Sequence, residues 1–463
     1  MTIAGAPATA PRTFEVVNPA TGEAFAEAPA CSTAQLDDAF AAAAAARAAW
    51  AEDEDTRRAL MLEVAAAVVG ATDELCELLV LETGKPGWLP PVEIQAADAW
   101  LRYYAAIELP REVVSDDATA RIELRRRPVG VAAGIIPWNF PVGSAIWKIA
   151  PAMRAGCPIV VKPSPFAPLA VLRLGEILAE HLPAGVVSIV SGDDALGAAM
   201  TSHPVPRKVS LTGSIAAGRQ VAVAAAPDLK RITLELGGND AAILLEDIDL
   251  DKAVPAMVAT ATFNTGQTCA IPKRVYVPDH LYDDAVDVFA SVASEITLGA
   301  GDDGEMGPLS TRPQFERVSA LVAEAIAGGA RAVTGGRHAD GPGYFFPATV
   351  LADAADGQRI VDEEQFGPAI PLLRYRDVDE AVARANATDY GLCGSVWGAD
   401  EERAAALAER LECGVSYVNC HAQLPPQMPF LGAKSSGLGV ENGVDGLLEY
   451  TERQVIYRSR EGE

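Results

Sequence analysis

The sequence predicts an α/β protein built on parallel sheets, and three observations carry that expectation. From residue 129 onward, short apolar runs alternate with helical segments, the pattern of right-handed βαβ units. The runs are apolar throughout rather than in alternation, as strands covered on both faces are. The chain has 463 residues, 49% hydrophobic and 22% charged, the composition of a globular protein with a full core. At about 150 residues per domain, that length has room for two or three domains.

Taken in order, residues 1–13 read as a small-residue tail. Phe14-Glu15-Val16-Val17-Asn18-Pro19 is an edge-strand signal ended by a turn. Residues 33–50, 54–70 and 72–83 read as Ala-rich amphipathic helices, since Ala has the strongest helix propensity. Strands follow at 129–136, 158–161, 186–190, 208–211 and 232–236, with helices near 143–155, 167–181, 194–202 and 215–226. A second series places strands at 241–245, 274–278, 370–374, 394–397 and 415–419. Its helices fall near 249–263, 279–294, 312–328, 377–387 and 400–412. Residues 119–127 alternate with period two and carry Arg125, Arg126 and Arg127, and 454–458 reads similarly. Edge strands of this kind need covering. An intersubunit sheet and a solvated face are both open readings of them.

Lys and Arg number 37 and Asp and Glu 63, a net charge of −26. That balance excludes a polyanion binder, which needs a clustered basic surface, and an anionic membrane face. Nucleic acid and membrane are therefore not expected partners, and a cytoplasmic protein is. The seven cysteines are scattered, with no CxxC, and the five histidines show no HxH or HxxxH spacing. Neither a disulfide framework nor a metal site is expected. Residues 128–147, 253–272 and 413–433 carry no charge at all. Each is interrupted by prolines or amides, so none reads as a membrane span. Burial is the expected reason, because an unpaired charge is costly to desolvate. Pocket-lining loops are one explanation and plain core strands the other.

The candidate chemical groups sit at the ends of expected strands, where open α/β sheets place their ligand crevice. Cys269 lies in Phe263-Asn264-Thr265-Gly266-Gln267-Thr268-Cys269, after a helix and away from charge. A lone cysteine is more often an inert core residue. Glu235 ends an apolar strand in Leu234-Glu235-Leu236-Gly237-Gly238. A carboxylate among apolar neighbours has a raised pKa and suits a general base, unless a basic residue pairs with it. Pro137-Trp138-Asn139-Phe140-Pro141 holds an Asn amide between prolines, a rigid donor for an oxyanion. Lys162-Pro163-Ser164 follows the next strand. Gly213-Ser214 opens a helix whose first amides favour a phosphate. The GxGxxG fingerprint is absent, so an ordinary Rossmann assignment does not follow.

In this order the pieces resemble the aldehyde dehydrogenase superfamily, from about Asn18 to Glu452. The motifs are PWNFP at 137–141, KPS at 162–164, TGS at 212–214, LELGG at 234–238, GQTC at 266–269 and EEQFGP at 363–368, with an altered PFGG at 429–432. The resemblance implies a parallel-sheet cofactor domain (1–109 and 129–236), an α/β catalytic domain (237–445) and a small β extension for oligomerisation (110–128 and 446–463). It implies Cys269 as nucleophile, Glu235 as base for the hydrolytic water, Asn139 with the Cys269 N–H as oxyanion hole, and Lys148 with Glu441 as a supporting proton path. It also implies NAD or NADP held by Ile136, Pro137, Trp138, Lys162, Ser164, Pro165, Gly213, Ser214, Leu236, Glu364 and Phe366. The implied partners are an aldehyde and further copies of the chain, in a homodimer or homotetramer.

Three departures bear on detail. Pro165 stands where the family commonly has a glutamate beside the adenosine ribose, Leu431 breaks the Phe-Gly-Gly, and Val440 precedes Glu441 in place of an arginine. Substrate-binding arginines of semialdehyde-oxidising relatives are replaced here by Trp147 and Phe263. With Phe140, Leu424 and Phe430 these imply an apolar funnel and an uncharged aliphatic or aromatic aldehyde. A semialdehyde or an amino-aldehyde is the alternative. A CoA-acylating enzyme is disfavoured by Glu235, and a catalytically silent homologue by the joint presence of Cys269, Glu235 and Asn139.

Overall fold

A computed structural model describes residues 1–460. Its first sheet has eight strands, of which five are parallel and lie in the spatial order Arg231–Glu235, Lys208–Thr212, Ala132–Ile135, Ile159–Lys162, Val187–Ile189. The first of these in sequence, Ala132–Ile135, sits in the middle. The chain builds outward from it to one side and then to the other. The crevice between Ala132–Ile135 and Lys208–Thr212 is therefore a topological switch point, where the flanking loops part and a ligand can lie. Register brings the carboxyl ends level. Ile135 pairs with Lys162 and with Leu211, and Thr212 with Glu235.

The second sheet has seven strands, in the order Arg331–Thr334, Thr349–Ala352, Ala369–Tyr375, Pro272–Pro278, Asp240–Leu244, Cys393–Trp397, Val415–Val418. All neighbours but the first pair are parallel. Glu235 ends a strand of the first sheet and Asp240 begins one of the second. Four residues thus cross from one sheet to the other, at most about 14 Å of chain. Cys269 lies just before Pro272–Pro278, and Glu364 a short way before Ala369–Tyr375. The two sheets face each other end to end across these residues.

A third sheet pairs Ala120–Pro128 with Thr451–Ser459 and Arg111–Asp116, all antiparallel. It carries exposed Val113, Val114, Val455 and Tyr457. Residues 461–463 of the expected extension lie outside the described residues. Thr13–Asn18 and Glu23–Pro29 form a separate hairpin. No described helix is long and apolar enough to cross a membrane.

Helix starts follow their caps. Ser32 closes a capping box with Gln35 at the head of Thr33–Glu52, and Asp53, Asp193, Ser214 and Asp249 cap the helices that begin after them.

Three expectations need correction. Residues 1–13 are not simply a tail. Thr2–Ile3 pairs antiparallel with Val187–Ile189 and with Ala6–Pro7, burying Met1 and Thr2 at the sheet edge. The low apolar content of this stretch hides the strands because their stability comes from the ladder they join. The helix Leu89–Ala106 was not among the expected elements. Pro90 and Pro91 occupy its first turn, where proline's missing N–H costs nothing. The uncharged stretch 413–433 is not buried throughout, since Ser416, Asn419, Gln423, Pro425, Gln427 and Pro429 are exposed. Its strand Val415–Val418 is the last of its sheet, with one edge unpaired.

Candidate active site

The backbone that presents Cys269 is bent by three successive left-handed residues, Asn264 (φ 51°), Thr265 (φ 60°) and Gly266 (φ 70°). Gly266 is required there, since a Cβ would collide with the carbonyl of Gly367. Asn264 tolerates the conformation and uses its amide, donating from Nδ2 to the Asn139 carbonyl at 3.0 Å. Asn139 returns the link, its Nδ2 donating to the Gln267 carbonyl at 2.9 Å. Gln267 is fully buried, donates to the Asn264 carbonyl at 3.0 Å and accepts from Ser310 N at 2.8 Å. Lys273 Nζ donates to the carbonyls of Thr268 (2.6 Å) and Cys269 (2.9 Å). The main chain around the thiol is therefore held on both sides. The Asn139 amide, beside it, keeps a second N–H.

Glu235 faces this thiol. Among the described residues no cation forms an ion pair with it, and its Oε1 is buried without a hydrogen-bond partner. Burial pushes its pKa up to about 8, and the nearby Glu441 carboxylate adds to the rise, while the Cys269 thiol and Lys148 oppose it. Burial likewise raises the Cys269 thiol well above its usual range, and the Glu235 charge raises it further. Each group thus keeps its own proton more tightly, and the resting pair is a thiol beside a carboxyl that ionises near pH 8. Behind them Lys148 is fully buried, donating to Glu441 Oε1 at 2.6 Å and to Thr212 Oγ1 at 2.8 Å. Ser210 donates to the same Glu441 oxygen at 3.1 Å.

The expected cofactor residues line the carboxyl end of the first sheet. Ile136 is buried and its N–H donates to the Lys162 carbonyl at 2.9 Å. Lys162 is nearly enclosed. Burial lowers its pKa to about 8 against the opposing pull of Asp194 and Asp193, and its Nζ has one hydrogen bond, to the Pro163 carbonyl at 3.2 Å. Ser164 is buried beside it and Pro165 half-buried. Gly213 donates its N–H to the Glu235 carbonyl at 3.0 Å, and exposed Ser214 caps the helix Ile215–Ala225. Leu236 packs against Gly218 of that helix so closely that a Cβ would not fit. Across the gap, Glu364 Oε1 accepts from Gly238 N at 3.0 Å, and a Cβ on Gly237 would collide with its carboxylate. Burial raises Glu364 to about 7, and Lys273, 3.8 Å away, opposes that rise. Phe366 (φ 52°) sets its ring edge-on to Trp138 at 5.5 Å.

The five expected substrate residues fall into two aromatic groups. Phe140 stacks on Phe263 at 5.9 Å, and Trp88, 48% exposed, extends that group outward at 5.9 Å from Phe263. Trp147 meets Phe430 at 6.0 Å and Trp100 at 5.2 Å. Leu424, Trp147 and Cys269 pack on one small apolar cluster with buried Phe430. The nearby cation Lys85 is fully buried, ion-paired with Glu93, and lies over the Phe140 ring at 4.3 Å. Sequence reasoning missed Lys273, Asn264, Gln267, Trp88 and the Lys85–Glu93 pair. The signal for Lys273 was present, the first charge after an uncharged run, beside Arg274. The others act through partners far away in sequence.

An α/β sheet pair joined end to end, with a Cys, a Glu and an Asn amide converging at the joint, is the architecture of an aldehyde-oxidising enzyme. The chain belongs to the aldehyde dehydrogenase family, whose model matches residues 6–456. It is 37% identical over 458 residues to the aldehyde dehydrogenase LUC3 of a Fusarium species, covering 98% of this chain and 97% of that one. Among solved structures, it is similar to the NAD+ complex of an aldehyde dehydrogenase from Bacillus cereus. That match has TM-score 0.97 and 34% identity, covering 100% and 96% of the two chains. It is also similar to an NADP-dependent enzyme of E. coli, with TM-score 0.96 and 34% identity, covering 99% and 97%.

Proposed function

We propose that this chain oxidises an uncharged apolar or aromatic aldehyde to its carboxylic acid by covalent catalysis at Cys269, with NAD or NADP as oxidant. The observation that carries the reading is the Cys269–Glu235 pair, enclosed at the joint of the two sheets and free of any ion partner. The donor set fits a dinucleotide. Lys162 and Ser164 supply an ammonium and a hydroxyl for a ribose, the helix after Ser214 supplies amides for a pyrophosphate, and Glu364 supplies an acceptor for a second ribose. Ile136, Pro137, Trp138, Pro165, Gly213, Leu236 and Phe366 wall the same cleft. Bound there, NAD(P)+ supplies the hydride acceptor.

The chain's own groups do the rest. Glu235 takes the Cys269 proton, and the sulfur adds to the carbonyl carbon. The resulting oxyanion is met by the Asn139 amide and the Cys269 N–H. With the hydride gone from the substrate carbon, the acyl group stays on Cys269 as a thioester. Once Glu235 has passed the Cys269 proton on, it is a carboxylate again and deprotonates the water that attacks the thioester; the C–S bond breaks, the carboxylic acid leaves and the sulfur departs as thiolate. The Lys148–Glu441 pair, in contact with Ser210, extends from Glu235 as a route for the proton.

The aromatic groups support an uncharged substrate. Among the described residues the cation lying over these rings is Lys85, already ion-paired with Glu93, so a distal carboxylate would be buried without a free partner. The Phe140 face that could hold an ammonium is already occupied by Lys85. Two measurements test the reading. Cys269→Ala is expected to abolish both aldehyde oxidation and ester hydrolysis while cofactor binding persists. Benzaldehyde and hexanal are expected to exceed succinic semialdehyde in kcat/KM; a tenfold advantage for the semialdehyde overturns the substrate assignment. The exposed valines and Tyr457 of the third sheet, and the unpaired edge of Val415–Val418, support assembly into a homodimer or homotetramer.

A further inference from the structure

The segment from Asn419 to Pro429 has no helix or strand, yet it carries Leu424 and leads to Phe430 beside the thiol. Side chains pin it. Asn419 (φ 52°) accepts from Gly398 N and donates to Gly398 O, both at 2.9 Å. Tyr417 Oη donates to the Gln423 carbonyl at 2.9 Å. Between these points His421 turns inward and is 2% exposed. Its Nε2 lies 3.3 Å from Asp240 Oδ2 and its Nδ1 2.9 Å from Ser395 Oγ.

The hydrogens can be assigned. A carboxylate only accepts, so Nε2 carries the hydrogen and donates to Asp240. Nδ1 is hydrogen-bonded to the Ser395 hydroxyl, which itself accepts from Trp397 Nε1 at 2.8 Å. The other Asp240 oxygen accepts from Cys393 N at 3.0 Å. Ser395, His421 and Asp240 match the residue types of a hydrolytic triad, but all three are buried and Ser395 lies inside a sheet strand, so no substrate reaches them.

Asp240 stands close to the nucleophile. A Cβ built on Gly238 would lie 2.7 Å from Asp240 Oδ1 and 2.9 Å from the Cys269 carbonyl. The carboxylate that receives His421 and the carbonyl of the thiol-bearing residue thus both border Gly238. The segment cannot move outward without stranding a buried carboxylate, which makes its position discrete rather than soft. We propose that the Asp240–His421 hydrogen bond is a positioning device that sets the distance between the Leu424–Phe430 wall and Cys269, and so decides which aldehydes the site accepts by size. This rests on reading that wall as the aldehyde-facing one.

The test compares Leu424→Ala, His421→Phe, His421→Gln and Asp240→Asn with the unaltered enzyme, measuring kcat and KM for propanal and hexanal and the melting temperature. H421F and D240N are expected to raise KM for hexanal about tenfold or more, the loss when roughly two methylenes of a long aldehyde give up their contact with the wall. KM for propanal and both kcat values should move less than about threefold. H421Q, which keeps an N–H donor, should recover most of the hexanal KM. L424A should raise the hexanal KM by itself. If L424A has no effect, the wall does not meet substrate and both readings fall. If L424A acts but H421F and D240N leave the hexanal-to-propanal KM ratio unchanged, the positioning role alone is overturned. H421Q as impaired as H421F also overturns it, because an N–H donor at that position would then restore nothing. Should H421F not fold, D240N makes the same comparison with the ring in place.

Discussion

Replacing Glu235 by Gln keeps the shape of an enclosed side chain and removes a carboxylate whose titration the fold has displaced. Its pKa stands at about 8 because burial disfavours the anion and Glu441 adds to that effect. At that value about one carboxyl in eleven is ionised at pH 7 and about ten in eleven at pH 9. If release of the acyl group needs the ionised form, its rate climbs about tenfold over that interval. E235Q should lose this limb, with a steady-state rate lower by roughly 10²–10⁴, the usual worth of a positioned base. Rapid mixing from pH 6.5 to 9.5, following NAD(P)H, separates the first turnover from the steady state. A steady-state rate in E235Q that still climbs tenfold between pH 7 and 9 refutes the assignment. A first turnover slowed in the same proportion shows instead that Glu235 acts mainly on the Cys269 proton. The shift has a stability counterpart with a definite sign. The folded pKa lies above the unfolded one, near 4.5, so the folded state holds this proton more tightly. Stability is therefore lost as pH rises from about 4.5 to 8. E235Q escapes that loss and should match the unaltered protein near pH 4.5 but exceed it above pH 8 by on the order of a few kcal/mol in urea denaturation.

Lys148→Met should destabilise the protein by about 3–5 kcal/mol, since it leaves buried Glu441 without its cation. The double variant with Glu441→Gln should cost less than the single one, and equal costs would show that the pair is not coupled. Because Lys148 also lowers the Glu235 pKa, K148M should move the rising limb of activity to higher pH. Gly266→Ala forces a side chain into a left-handed position against the Gly367 carbonyl, and a loss of about hundredfold or more in ester hydrolysis is expected; near-normal activity would show that the bend is not needed. Pro165 removes the carboxylate that would repel a 2′-phosphate, so the kcat/KM ratio of NAD+ to NADP+ is expected to stay below about a hundredfold, or ~2.7 kcal/mol. A larger preference for NAD+ overturns that reading of the pocket.

The alternation of strands and helices was legible because periodicity is local. Each buried run, such as 208–212 or 272–278, and each cap, such as Ser214 or Asp249, is encoded within a few neighbouring residues. Family membership was legible too, since the order of the motifs around Asn139, Glu235 and Cys269 survives in one dimension. Where local signals were weak, elements went unseen. Thr2–Ile3 is a strand only because Val187–Ile189 offers it a ladder, and Arg331–Thr334 only because Thr349–Ala352 lies beside it.

By itself, then, the sequence determined most of the element types, the parallel architecture and the family. The tertiary structure decided what those residues are to one another. Lys148 meets Glu441 across 293 positions and Asn139 meets Gln267 across 128, while His421 reaches Asp240 across 181. It also decided that Glu235 has no cation beside it and that Lys85 already covers Phe140. Helix and strand spacing is set by bond geometry within a turn or a pleat. Which distant side chains share a buried space is set by how whole layers pack, and so are the titration of Glu235 and the placing of the Leu424–Phe430 wall. No short stretch of chain contains that information.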